Sequence, residues 1–118
     1  MHCVIKNEAF TLPINREKVK SIVVIGKLAN DVLCDWYSGS PPYKITPLEG
    51  IQKKAGKEAT VVYFQDSELK EALKAAENAD LVITFGGNHP TGDAGWAKVA
   101  RPSYGKESVD RKTIESGR

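Results

Sequence analysis

The sequence is short of several things, and each shortage removes a class of function. It holds two histidines and two cysteines in 118 residues. His2 and His89 lie far apart, as do Cys3 and Cys34, and neither pair has an acidic or thiolate partner at metal-ligand spacing. The cysteines are read as thiols rather than a disulfide, and no metal or other cofactor is expected. Long apolar runs are missing too. Nothing approaches the roughly 20 residues that span a bilayer, and residues 1–15 lack the basic-then-apolar order of a signal peptide. The expectation is a soluble chain with no membrane partner, while the compartment of any longer parent stays open. An excess of one charge is also lacking: 17 basic residues against 15 acidic ones leave a net +2. The two signs are mixed along the chain, so no nucleic-acid footprint is present. Gly86-Gly87 is not a G-x-G-x-x-G arrangement, and no G-x-x-x-x-G-K-[ST] occurs, so dinucleotide and phosphate-loop readings fail.

What remains is an ordinary globular composition, 41% hydrophobic and 27% charged, long enough for one core. Residues 1–20 read as an extended arm with a turn-like stretch before Leu12-Pro13-Ile14. Ser21 to Gly26 is a continuous β-branched run ending in glycine, the pattern of a strand covered on both faces. Thr46-Pro47-Leu48-Glu49 reads as a helix start: Thr46 as N-cap, Pro47 in the first turn and Glu49 completing a capping box. Leu48, Ile51 and Ala55 share a face of that helix, and Gly56 stops it.

A second strand is expected at 59–64, rich in β-branched and aromatic residues. Asp66 or Ser67 is the expected cap of a second helix, where Leu69, Ala72, Leu73 and Ala76 form an apolar stripe. Residues 80–87 read as a third buried strand with a glycine end. Strand and helix alternate, which implies parallel pairing through right-handed crossovers. The fold class is therefore α/β, part of a doubly wound, flavodoxin-like sheet in three α/β/α layers. In that order strand 59–64 lies on one side of strand 21–26 and strand 81–86 on the other. Two unusual connections, 27–45 and 87–107, then leave from the carboxyl ends of the first and third strands, where open α/β sheets bind ligands.

Within those loops the residues that carry chemistry are few. Gly105-Lys106-Glu107-Ser108-Val109-Asp110-Arg111 has the composition of a carboxyl held on a loop, with Asp110 and Arg111 able to pair and fix it. A string of charges is more often a solvated turn opening a helix. Trp36 and Trp96 are equally two-sided: a lone tryptophan usually fills a core, but both sit in Gly- and Pro-containing loops. Indole stacks on the C–H face of a sugar ring, so two such loops beside a carboxylate favour carbohydrate. His89, before Pro90, is otherwise a loop histidine making a local hydrogen bond.

Together these strings resemble the C-terminal α/β domain of family 3 glycoside hydrolases. Lys6-Asn7-Glu8 and Leu12-Pro13-Ile14 resemble the arm that leads into that domain, and Ser21 to Gly26 with Ala29 its first strand and turn. Asp35-Trp36-Tyr37-Ser38-Gly39, Pro42-Tyr43 and Thr46 to Ile51 are similar to the next loop and helix. Gly87-Asn88-His89-Pro90 and Gly105 to Arg111 are similar to the third-strand loop and the acid-bearing segment. The resemblance covers essentially all of residues 1–118, a leading arm (1–20) and a βαβαβ core with the acid-bearing loop (21–118).

The resemblance implies a retaining β-glucosidase or β-xylosidase in which an N-terminal barrel supplies an aspartate nucleophile. It places the general acid/base on Glu107, and a wall of the sugar subsite on Trp36. His89, Trp96, Asp110 and Arg111 are the further substrate-binding candidates. Two departures stand out: the chain has no barrel, and after Arg111 the expected Leu-x-Leu-Pro stretch is replaced by Lys112 to Arg118. The expectation is a fragment, incomplete at its C-terminus and inactive without the barrel. The alternative is a stand-alone carbohydrate-binding or assembly module that stacks sugars on Trp36, Tyr43 and Trp96. An unpaired edge on the third strand also predicts a homodimer joined there.

Overall fold

The computed structural model describes residues 6–34 and 41–87. Three strands make one parallel sheet: β1 (Ser21–Ile25), β2 (Thr60–Phe64) and β3 (Leu81–Thr84), in the order β2-β1-β3. Helix α1 (Pro47–Ala55) connects the first two and α2 (Leu69–Ala76) connects β2 to β3. This is the strand order expected from the alternation of strand and helix patterns.

The register sets Ile22 beside Val61 and Leu81, and Val24 beside Tyr63 and Ile83. Successive side chains in a strand point to opposite faces, so these two rows line one face. There they meet Leu48, Ile51 and Ala55 of α1, the face predicted for that helix, to form the main core cluster. Val23 lies between the two rows and points the other way, and it is buried outside that cluster, as is Ala72 of α2. Since α2 packs on β1 and β2, the two helices cover opposite faces of the central strand. Full burial of one Val or Ile contributes roughly 1.5–3 kcal/mol, and β1 alone buries Ile22, Val23 and Val24.

Local chemistry sets the ends of α1. Glu49 N–H donates to Thr46 Oγ1 at 3.2 Å, and Thr46 N–H donates to the Glu49 carboxylate at 2.8 Å. Two helix-start N–H groups are thereby satisfied, which is the reciprocal box expected from the sequence. Gly56, at φ 61°, ends the helix and donates its N–H to Gln52 O. At the opposite edge of the sheet Asp80 ties β3 to β1. Its Oδ2 accepts from Lys20 N–H at 2.8 Å, Ser21 N–H at 2.8 Å and the Ser21 hydroxyl at 2.9 Å.

Several expectations are corrected. The third strand is not a buried one: Leu81 and Ile83 are half-buried, Val82 is 40% exposed, and no strand pairs its outer edge among the described residues. A strand with a neighbour on one side only keeps part of its side chains in solvent. The stripe on α2 is also incompletely covered. Ala72 is buried, but Leu69 and Leu73 are 54% and 57% exposed, because the contact is centred on the small alanine and the leucines fall at its rim. Neither Asp66 nor Ser67 caps that helix. They belong to a 3-10 turn, Asp66–Glu68, opened by Gln65, whose N–H donates to the Glu68 carboxylate at 2.8 Å. The connection after β1 is not irregular throughout, since Lys27–Asn30 forms a 3-10 turn that buries Ala29. The leading arm likewise contains a 3-10 turn, Glu8–Phe10, braced where Asn7 exchanges side-chain hydrogen bonds with the Leu12 backbone.

Candidate functional site

The carboxyl ends of β1 and β3 are neighbours at the point where strand order reverses, the place where open α/β sheets take their ligands. A groove of about 430 Å³ opens there. Leu28, Val32, Leu33, Ile45 and Phe85 give it an apolar lining, Gly86-Gly87 form part of its wall, and Asp31 is the one acidic residue among the described residues that line it. Apolar walls with few polar groups are usual for sites that bind small molecules.

Backbone geometry fixes how the two loops leave this edge. Gly26 follows β1 directly, with its N–H donated to Phe64 O of β2 at 3.0 Å. The next residue, Lys27, donates its N–H to the Asp66 carboxylate at 3.2 Å, which ties the first loop to the end of β2. The two ends of that loop are held together as well: the Thr46 hydroxyl lies 3.4 Å from Asn30 Oδ1 in hydrogen-bonding geometry. Thr46 is therefore both the cap of α1 and the anchor at the base of the loop that contains Trp36. Directly after the third strand, Phe85 N–H donates to Ile25 O at 2.8 Å, so the second loop starts from a backbone still paired to β1.

Partial burial, together with the negative charges of Asp66 and Glu68, pushes the Tyr63 hydroxyl above its ordinary pKa. Tyr63 thus stays a neutral phenol at the end of β2. Asp80 is held below the usual carboxylate range, first by the Lys20 N–H and then by the Ser21 hydroxyl and N–H. It stands at the amino-terminal edge, away from the groove, and its role is structural. Among the described residues no cluster of three or more His, Cys, Asp or Glu could hold a metal ion, and no helix is long and apolar enough to cross a membrane.

The candidates named from the sequence, Trp36, His89, Trp96, Glu107, Asp110 and Arg111, lie outside the described residues. Tyr43, the third aromatic of the stacking alternative, is described and is exposed. What the fold supplies is the stems of both loops, at Leu33-Cys34, Pro41-Pro42 and Gly86-Gly87, and the groove between them. Asp31, Asn30 and Gly26 were not singled out as site residues from the sequence. The signal was present only in their position directly after a buried strand.

The family model described as the glycosyl hydrolase family 3 C-terminal domain matches residues 2–117. A beta-xylosidase of Formosa agariphila is 32% identical over 129 residues, an alignment covering 95% of this chain and 17% of that protein. An exo-1,4-beta-xylosidase of Emericella nidulans, xlnD, is 35% identical over 117 residues, covering 93% of this chain and 13% of that protein. The chain thus spans less than a fifth of the length of the curated relatives it matches. No solved structure matches it. With the model matched from residue 2 to residue 117 and the sheet in the order its motifs imply, the chain belongs to the glycosyl hydrolase family 3 C-terminal domain family.

Proposed function

We propose that this domain contributes a general acid/base carboxylate, Glu107, and a sugar-subsite loop around Trp36 to the hydrolysis of β-glycosidic bonds. The observation that carries the reading is the family match across residues 2–117, which includes both the Trp36 loop and the Gly105-to-Arg111 segment. Both relatives named above are xylosidases, so β-xylosides are the favoured substrates. The groove at the carboxyl edge supports it too, since an apolar wall suits the C–H face of a pyranose.

Retaining hydrolysis needs two carboxyl groups about 5–5.5 Å apart, one attacking the anomeric carbon and one protonating the departing oxygen. In this reading Glu107 gives its proton to the leaving oxygen and then takes one from water. The nucleophile comes from a barrel domain outside these 118 residues, so the isolated chain releases no nitrophenol from aryl β-xylosides. In the same reading His89, Trp96, Asp110 and Arg111 bind the substrate.

The test is a chimera in which this chain replaces the segment it matches in the Formosa agariphila beta-xylosidase. General acid catalysis contributes roughly 10²–10⁴-fold, and a leaving group that is already good needs little of it. Glu107→Ala is therefore expected to lower kcat/KM on xylobiose by about that factor, and far less on a nitrophenyl xyloside. Equal losses on the two substrates would remove Glu107 from the acid role.

A further inference from the structure

Gly26 is the first residue after β1, and the two loops of the proposed site begin beside it. Its N–H is bonded to Phe64 O on one side, its carbonyl accepts from Ala29 N–H at 3.0 Å, and it is buried. Its backbone lies at φ 111° and ψ 136°, a region that residues with a side chain rarely adopt. A Cβ built there would stand 2.3 Å from the carbonyl oxygen of Phe85 and 3.3 Å from its carbonyl carbon. Both obstructing atoms are backbone, so no change of rotamer makes room. Real Cβ atoms essentially never come within 3.0 Å of another heavy atom, so a methyl group would have to part the two backbones by about 0.7 Å.

Gly26 leads through the Lys27–Asn30 turn into the connection that contains Trp36. Phe85 leads through Gly86-Gly87 into the one that contains Trp96 and Glu107. We infer that Gly26 is a positioning residue for the proposed site: the missing side chain sets how closely the stems of these two loops start, at Gly26 and at Phe85. The functional half of this inference rests on the roles proposed above for Trp36 and Glu107. Its geometric half does not. Spacing on this scale matters chemically, because a displacement of about 1 Å at a reacting group costs on the order of 10²-fold in rate.

Gly86 provides the contrast. It sits on the same loop stem, yet a Cβ added to it meets nothing within 4 Å, and its backbone is not in the left-handed region. Alanine there adds the same methyl without prying the strands apart.

The chain has two tryptophans, one on each loop, so their indole N–H resonances in ¹H–¹⁵N spectra of the full chain report each loop separately. Gly26→Ala is expected to move at least one indole signal by more than its linewidth while the Val23 and Val24 amides stay protected from exchange. Gly86→Ala is expected to leave both signals in place. Unmoved indoles over a protected sheet would overturn the inference. So would equal shifts in the Gly86→Ala chain, which folds whatever Gly26 does. Loss of Val23 and Val24 protection in Gly26→Ala would also overturn it, since the glycine would then be required for folding rather than for placing loops. Indole shifts combined with equal losses for Glu107→Ala on both xyloside substrates would retain the positioning role and remove only the acid assignment.

Discussion

Val24→Ala is the sharpest probe of how this small sheet is held together. Val24 is 0% exposed and lies at the middle of the central strand, between Tyr63 and Ile83 in register and among the α1 side chains of the main cluster. Truncation removes two carbons. Deleting one buried methylene typically costs 0.5–1.5 kcal/mol once the cavity is included, so two cost about 1–3 kcal/mol. The upper half of that range applies, because strands on both sides hold the backbone and limit collapse into the void. Val62 is the matched control: the same residue type in β2, on the opposite face, at 41% exposure. With much of its side chain already in water, Val62→Ala should cost less than about 1 kcal/mol. Urea unfolding followed by circular dichroism measures both. With a slope near 1.5 kcal/mol per molar for a chain of this size, Val24→Ala lowers the midpoint by about 1.5 M and Val62→Ala by less than about 0.7 M. Equal midpoint shifts for the two variants would refute the reasoning, because they would mean that the central strand is no better covered than the edge.

Two further outcomes follow from the hydrogen bonds. Asp80 has a folded pKa below its ordinary value of 3.8, so its contribution is fully present above that value and is lost as pH falls through the lower folded one. The acid limb of stability below about pH 4 should therefore flatten in Asp80→Asn, as read from melting temperature against pH, and an unchanged limb would show that the Lys20 and Ser21 bonds do not favour the charged form. Thr46→Ala should destabilise the domain by about 1 kcal/mol, the usual cost of losing a helix cap. Because Thr46 also anchors the loop base at Asn30, that variant should additionally shift the Trp36 indole resonance, whereas Glu49→Ala should weaken the helix and leave the indole where it is.

The sequence by itself determined the parts that depend on neighbours along the chain. Thr46-Pro47-Leu48-Glu49 could only start a helix, since its capping groups are three residues apart and need no distant partner. The β-branched run of Ser21–Ile25, the alternation of strand with helix, and the handedness of crossovers left one economical strand order, and that order is present. The family was legible as well, because ordered strings spanning the chain are a property of sequence. Tertiary structure decided what depends on who covers whom. Leu81 to Thr84 is as apolar as β1, yet among the described residues it is a half-exposed edge, because burial is set by the number of neighbouring strands and not by composition. Leu69 and Leu73 follow a faultless helical stripe but sit at the rim of a contact made by Ala72. The need for glycine at position 26 was also invisible in the sequence, where it looked like a strand terminator. Only the fold brings the Phe85 carbonyl, 59 residues further along, to where a side chain would be.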